Sequence, residues 1–514
     1  MIDIMNISAR STYSKLSGDR QLYLNRARLA SQLTIPQLYP FVDETSNVTY
    51  PNPYQSLGAR GVNNLANKII LSLFPPATAF FKLGLNQIKQ KESGVSEGDI
   101  KKAMFTIEKG IINEMEISQL RAVLVDSIKQ GIVGGSSVIY VPRSGKPRFF
   151  DLKNFVIKRS KSSVVIKLVT KESINFMELD HEVQEQLTEL EDKERSGEKP
   201  LQLYTLSILN SDGKYHVVQE IKGNKIKGTD AIYPKESFPY IFMPFVDRGE
   251  DYGRSYIEDY MGDLQSYEGL RQSILEASAE SARLIYLVKP NAVITPKKLQ
   301  KARSGDVLLG SPDDVTTLQA DKRLDVGMAQ QEAEVLRTDL STIFLLDSAV
   351  RRNAERVTAE EIRRVSQELE VALGGIYSTL ANVLQEPLVR LYLKRLVSKG
   401  VIPDILKNSV ELEITTGSAA LGRGTEFRAL ESFMNSAVNL LGQEAGKYLN
   451  IPEALNRMAY SLDVNTGDLV KTDEQLQAEA AAAQQQQLEQ QAVAPAINAA
   501  NQQQMQQQQQ GQQK

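Results

Sequence analysis

The sequence predicts a multi-domain α+β chain that is mainly helical. Three observations carry that reading. The chain has 514 residues, room for about three domains at a typical 150 residues each. Apolar residues recur at helical spacing over long stretches before residue 131 and again beyond residue 255. Between Val138 and Ile221 that period gives way to short runs rich in β-branched and aromatic residues, the mark of strands. Composition agrees, since 41% hydrophobic and 24% charged residues describe a chain that folds.

The first amphipathic helix lies after Pro53, with Leu57, Val62, Leu65, Ile69, Ile70 and Leu73 on one side and Pro75-Pro76 as its stop. Two more are expected from about Ser96 to Glu116 and from Ser118 to Gln130, each opening at a serine that can cap free N–H groups. Gly134-Gly135 end the helical regime, and strands follow at Val138–Val141, Phe155–Lys158 and Val164–Thr170. The charged stretch from Glu178 to Lys199 reads as a partly helical excursion, after which Leu201–Leu209 and Tyr215–Ile221 form a hairpin around Ser211-Asp212-Gly213.

Ser255 and Glu258 make a capping box that opens a helix of roughly 30 residues, about 45 Å long. Its apolar stripe comprises Ile257, Tyr260, Met261, Leu264, Tyr267, Leu270, Ile274 and Leu284. After Pro290 a small α/β insert is expected, with a short helix at Thr295-Pro296 and strands at Val307–Leu309 and Val315–Leu318. Helical periodicity returns from Val326 to Leu346, pauses over 347–357, and restarts at Thr358, where Glu361 completes a second box. That last long helix bears Ile362, Val365, Leu369 and Leu380, with kinks expected at Gly374-Gly375 and Pro387 and an end near Lys399-Gly400. A strand at Leu412–Thr415 and two or three helices follow. From Gln475 to Lys514, 18 of 40 residues are glutamine, a composition that predicts a disordered tail.

Several function classes lack their residues. There is no cysteine, and His181 and His216 are the sole histidines, so neither a zinc site nor a histidine base is expected. No GxxxxGK[ST], HExxH, GxSxG or GxGxxG pattern occurs: Lys146 is followed by Pro147, and Gly131 to Gly135 reads as a helix-to-strand turn. No cofactor and no metal are therefore expected, although a nuclease-like carboxylate cluster for Mg²⁺ stays open on spacing alone. The N-terminus has no basic start before an apolar core and no run of about 18 apolar residues exists, so neither a secretory signal nor a membrane span is expected. A net charge of −3 argues against a tight, charge-driven nucleic-acid binder but not against loose contact with DNA.

Charge is nonetheless unevenly placed. The insert carries Lys297, Lys298, Lys301 and Arg303, a basic face or plain solvated surface. The segment SAVRRNAERVT sets Arg351, Arg352 and Arg356 between two helix termini, where side chains can reach phosphates without reading bases. From Asp251 to Ile285 there are seven acids and three arginines, a net of −4. On a helical wheel Glu258, Glu276 and Glu280 fall within about 40° of one another, opposite the apolar stripe, on either a lumen-facing or an outer side.

Six stretches in order resemble the portal, or head-to-tail connector, family of short-tailed bacteriophages of the autographivirus type. They are LTIPQLYP from Leu33, YQSLGARGVNNLANKIILSLFPP from Tyr54, YPKESFPYIFMPF from Tyr233 and YGRSYIEDYMGDLQSYEGL from Tyr252. Then come LLDSAVRRNAERVTAEEIRRVSQELEVALGGIYSTL from Leu345 and ITTGSAALGRG from Ile414. They span residues 10 to 470, and the charged stretch at 178–199 and the glutamine-rich tail have no counterpart.

The resemblance implies a non-enzymatic subunit of a dodecameric ring at one capsid vertex of the virion, assembled in the host cytoplasm. Double-stranded DNA would be packaged through it by a separate terminase motor and later ejected through the tail. Partners would be further copies of the chain, the terminase, the major capsid or scaffolding protein and tail adaptor proteins. It implies a wing at 1–253, stem helices at 254–287 and 326–346, a clip at 288–325 and a tunnel loop at 347–357. A long wing helix at 358–402, a crown at 403–472 and the tail at 473–514 complete it. On this map Arg351, Arg352 and Arg356 touch the DNA backbone, and Lys297, Lys298, Lys301 and Arg303 form a basic surface on the clip. Glu258, Glu276 and Glu280 line the channel, because a basic lining would hold by counterion release a duplex that has to slide. The competing classes are a metal-dependent DNA-processing enzyme and a non-enzymatic DNA-binding protein.

Overall fold

The computed structural model describes residues 7–41, 50–76, 80–85, 97–187, 190–281, 285–318, 323–346, 359–400, 412–416, 423–442, 448–449, 451, 454–455 and 458. It divides into two units, residues 1–420 and 421–514. In the second, the helix Arg423–Leu441 leaves Phe433, Val438 and Leu440 exposed.

In the first unit a helix absent from the sequence reading leads the chain. Ala9–Gln32 buries Tyr13, Leu24, Ala27 and Ala30. Its start is fixed from far away: the fully buried carboxylate of Glu220 accepts from Ser8 Oγ at 2.9 Å, Ala9 N at 2.5 Å and Arg10 N at 3.2 Å. A carboxylate at a helix N-terminus satisfies free amides and meets the positive end of the helix dipole.

The helix Leu57–Leu73 forms as its periodicity predicts and stops at Phe74, ahead of the two prolines. The helices Glu97–Ile117 and Leu120–Gly134 follow. Ser118 does not cap the second of these. Its hydroxyl bonds Met115 O at 3.0 Å and Tyr392 Oη at 2.6 Å, and Gln119, at φ +58°, stands at the N-cap instead. Leu120–Gly134 buries Leu124, Ile128, Ile132 and Val133 at the centre of the main core. At its end Gly134 packs against Tyr39, where a Cβ would lie 2.2 Å from the phenol oxygen, and Gly135 turns at φ +81°. The glycine run is thus the helix-to-strand turn that the sequence suggested.

Among the described residues the strands form four antiparallel sheets. A three-stranded sheet orders Tyr240–Pro244, Ser136–Tyr140 and Arg148–Phe150, the outer two strands being additions to the sequence reading. The six-stranded sheet runs Phe155–Arg159, Val165–Ile174, Leu201–Leu209 and Lys214–Ile221, with Asn224–Lys225 and Ala231–Pro234 both paired to Lys214–Ile221. The predicted hairpin is there, and Gly213 takes φ +74° in its turn. The stretch after Ile174 holds two short helices, His181–Gln186 and Asp192–Arg195.

Ser255 opens the next region as expected: its Oγ accepts from Ile257 N at 3.0 Å and its N–H reaches Glu258 Oε1 at 3.4 Å. The helix is shorter than predicted. A 3₁₀ turn at Ile257–Tyr260 leads into the α-helix Met261–Ser281, and Ile285–Val288 is a strand. That strand pairs with Val315–Leu318. Val307–Leu309, expected as the partner, is not a strand and is exposed. Four consecutive apolar residues at 285–288 continue a helical stripe as well as they begin a strand, which is why periodicity alone misplaced the boundary.

Arg323–Ile343 returns antiparallel to Met261–Ser281, so that Tyr256 Oη, near the start of the first, donates to Ile343 O at the end of the second at 3.2 Å. Leu264, Tyr267 and Ile274 face Ala333 and Leu340 in the shared core. The predicted last long helix is two helices, Ala359–Leu373 and Gly375–Ser398, broken at Gly374 with φ +53°. Gly375–Ser398 runs through Pro387 and ends at Lys399. Leu412–Thr416 pairs with Phe81–Leu85, closing the unit across the sequence.

The Leu57–Leu73 helix is the seat on which these elements meet. A Cβ at Gly61 would lie 2.4 Å from Phe344 Cγ. Gly61→Ala should therefore destabilise the protein by about 1–2 kcal/mol, the overpacking outweighing the roughly 1 kcal/mol that alanine gains in helix propensity. Urea denaturation reads the loss, and adding Phe344→Leu should restore most of it. A Gly61→Ala midpoint equal to the wild type's would show that the ring does not press on this helix.

Candidate nucleic-acid interface

The three groups of charged residues singled out by the sequence lie on one continuous stretch of chain, from the first long helix through the insert to the segment after the second. Glu258 sits in the 3₁₀ turn, half-buried, with Oε1 near Ser255 N and Oε2 3.8 Å from Arg26 Nη1. A 3₁₀ turn advances about 120° per residue, so the 100° wheel relates Glu276 to Glu280 but not either of them to Glu258. Glu276 is exposed and accepts from Gln272 Nε2 at 2.8 Å. Glu280, four residues on, is exposed on the same face. The small residues beside them, Ser278 and Ala279, are exposed too, and Leu275 is 46% exposed.

Lys297, Lys298 and Lys301 stand on the short helix Pro296–Lys301, whose first turn has Pro296 at N1 and whose side chains are all outside the core. Arg303 follows, its backbone N–H bonded to Asp306 Oδ2 at 2.7 Å. All four basic side chains are exposed, and none makes an ion pair among the described residues.

Arg351, Arg352 and Arg356, together with Thr358 of the second capping box, lie outside the described residues. What the structure does define is the root on either side of them. On the near side Asn64 Nδ2 donates to Phe344 O at 3.0 Å and Leu345 O at 2.9 Å, and Lys68 Nζ donates to Leu345 O at 2.9 Å. Leu345 itself takes φ +53°, a left-handed residue ending the helix without glycine. On the far side Lys68 pairs with Glu368 at 3.1 Å, and Ser72 Oγ meets Ser366 Oγ at 2.5 Å. One helix, Leu57–Leu73, therefore grips both ends of the arginine segment.

Asn64 and Lys68 were not among the candidates that spacing selected. Lys68 occupies a buried position, 3% exposed, on an otherwise apolar face. A cation interrupting such a stripe was the available signal, since a buried ammonium demands acceptors. Its acceptors are Leu345 O, just past the C-terminal end of Arg323–Ile343, where the helix dipole favours a cation, and the Glu368 carboxylate.

Among the described residues no group of three His, Asp or Glu side chains is placed to hold a metal ion. His181 pairs with Glu185 at 3.3 Å and His216 with Asp212 at 3.4 Å, both on the surface of the sheet and its excursion. Lys146 donates to Gln119 Oε1 at 2.8 Å. No described helix is long and apolar enough to cross a membrane.

Comparison with known proteins places this geometry. The chain is 36% identical over 485 residues to a portal protein of Escherichia phage T7, an alignment covering 92% of this chain and 90% of that one. It is 37% identical over 481 residues to the portal protein of Enterobacteria phage T3, covering 91% and 89%. With the portal protein of Pseudomonas phage phiKMV the identity is 28% over 471 residues, covering 88% and 90%. A solved chain described as the neck of a native GTA particle computed with C12 symmetry covers 77% of this one at 10% identity and a TM-score of 0.34, a likeness too loose to argue from. The family model for the bacteriophage head to tail connecting protein matches residues 7–469. With nearly the whole folded chain inside that match, this protein belongs to the bacteriophage head-to-tail connecting protein family.

Proposed function

We propose that the chain is a portal subunit, twelve copies of which form a ring at a single capsid vertex of the virion. The observation that carries this is the family match over residues 7–469, which spans the helix pair, the insert and the arginine segment together. The ring conducts double-stranded DNA inward under a separate terminase motor and outward through the tail. It meets the capsid or scaffolding protein around its rim and tail adaptors at the insert, and it is assembled in the host cytoplasm. The subunit performs no hydrolysis.

In this reading the wing is 1–253, the stem is 254–287 with 326–346, and the clip is 288–325. The tunnel loop is 347–357, the long wing helix 358–402, the crown 403–472 and the glutamine-rich tail 473–514. What supports the stem assignment is that the two antiparallel helices bury one stripe against each other and leave the polar side, with Glu276 and Glu280, exposed. The exposed small residues on that side suit close approach of a neighbouring copy. An acidic lining lets a polyanion slide, and Arg351, Arg352 and Arg356 give it sequence-independent contact through its phosphates.

Purified protein should form closed cyclic rings, visible in negative-stain images and by light scattering. A stable monomer at micromolar concentration would sink the reading. Replacing Arg351, Arg352 and Arg356 together by alanine should preserve the ring and impair DNA packaging or retention equally for unrelated sequences. Unimpaired packaging by that variant would return the segment to plain surface charge. Glu276→Lys with Glu280→Lys leaves the Ser255–Glu258–Arg26 cluster untouched. Rings of this variant should slow or trap DNA at low salt and release it at high salt; unchanged transit at low salt would place these carboxylates outside the channel.

A further inference from the structure

A polar cavity of about 360 Å³ opens at the start of the Leu57–Leu73 helix, between the early part of Met261–Ser281 and the late part of Arg323–Ile343. Arg60, Arg271 and Arg337 line it, and among its described lining residues there is no carboxylate. We propose that this cavity is a phosphate-binding site.

The three arginines are not equivalent. Arg337 already grips Glu334 with a fork, Nε at 2.8 Å and Nη2 at 2.5 Å from the carboxylate oxygens, and this holds the Glu334 carboxyl below its ordinary range. The side chains of Arg60 and Arg271 make no ion pair and no hydrogen bond among the described residues. Glu268, one turn before Arg271, spends an oxygen on the Tyr54 N–H at 2.7 Å. Ser341 also lines the cavity and is 4% exposed, yet its hydroxyl has no hydrogen-bond partner among the described residues. Finally, Ser56 stands at the N-cap of Leu57–Leu73 without using its side chain as a cap, and although Gln55 Oε1 accepts from Gly58 N at 2.9 Å, the positive end of a 17-residue helix borders the cavity.

The balance is of positive charge in excess: three guanidinium groups against the one neighbouring carboxylate of Glu268, whose Oε2 is buried without a hydrogen-bond partner, and that of Glu334, which Arg337 already holds. A serine hydroxyl and two guanidinium groups without ion pairs around a concave space suit an anion with several oxygens. Phosphate fits best, because each guanidinium presents a planar fork to two of its oxygens while the hydroxyl and the helix end take others. A lone side-chain carboxylate has two oxygens and fills little of a cavity that lies within the range of small-molecule pockets. Leu346 also borders the cavity, and the segment bearing Arg351, Arg352 and Arg356 begins at the next residue. The phosphate source that this position favours is the DNA backbone, and on that point alone the assignment rests on the portal reading.

The test uses full-length protein as assembled. Calorimetric titration with inorganic phosphate and fluorescence anisotropy with a short duplex of arbitrary sequence are compared for wild type, Arg60→Gln/Arg271→Gln and Ser341→Ala. Arg248→Gln, at an exposed arginine outside the cavity, is the control. The double variant should bind inorganic phosphate about tenfold more weakly or worse, the loss expected of charge-assisted hydrogen bonds. Ser341→Ala should be weakened a few-fold, and the control unchanged. For the duplex, the slope of log K against log salt should fall in magnitude by about 1 for each cavity engaged.

Weakened phosphate binding with unchanged duplex binding supports the site and assigns it to free phosphate rather than DNA. Phosphate binding unaltered in both cavity variants overturns the proposal. So does a double variant that no longer assembles while Ser341→Ala titrates like wild type, because the arginines would then serve a neighbouring copy's carboxylate. Failure of wild type to form rings would count against the portal reading and leave the phosphate titration intact.

Discussion

Two backbone carbonyls, Phe344 O and Leu345 O, are the point on which the rest of the first unit depends. They end the Arg323–Ile343 helix, and they are held by side chains from a helix 280 residues earlier in the chain. Without Asn64 and Lys68 these acceptors would sit unpaired beside a packed core, at about 1–3 kcal/mol each. With them, the helix pair is fastened to the central helices and, through Glu368 and Ser366, to the helix that resumes after the arginine segment. The buried ammonium of Lys68 is tolerable for the same reason it is useful: it has a carbonyl on one side and a carboxylate on the other.

Charge is thereby sorted by position rather than by total. The net charge of −3 is nearly neutral, yet Glu276 and Glu280 lie on an open helix face, the described part of the insert displays five exposed cations, Lys289 with Lys297, Lys298, Lys301 and Arg303, and the cavity beside Leu346 gathers three arginines. Along Met261–Ser281, acidic side chains mark the last two turns, and arginines gather where the middle of that helix meets Leu57–Leu73 and Arg323–Ile343.

The sequence made much of this legible where local physics decides. The stripe of Leu57–Leu73, the hairpin at Gly213, the Ser255 cap and the break at Gly374 follow from periodicity, turn chemistry and capping rules that act over a few residues. What it concealed depends on partners distant in the chain. Ala9–Gln32 has few apolar residues, and its N-terminus is satisfied by Glu220, 211 residues away. Ile285–Val288 became a strand because Val315–Leu318 was there to pair with it. At the candidate interface, the exposure of Glu276 and Glu280 could be read from a helical wheel. The commitment of Glu258 to Arg26 could not, nor could the meeting of Arg60, Arg271 and Arg337 from three separate helices.

The double grip of the Leu57–Leu73 helix also couples its two neighbours mechanically. The Lys68 ammonium holds Leu345 O at 2.9 Å and Glu368 at 3.1 Å, so a displacement of the Arg323–Ile343 end that keeps the first contact pulls on the second. Ser72 and Ser366 add a second tie one turn further along the same helix. A rotation of Leu57–Leu73 about its own axis is therefore transmitted to both neighbours at once.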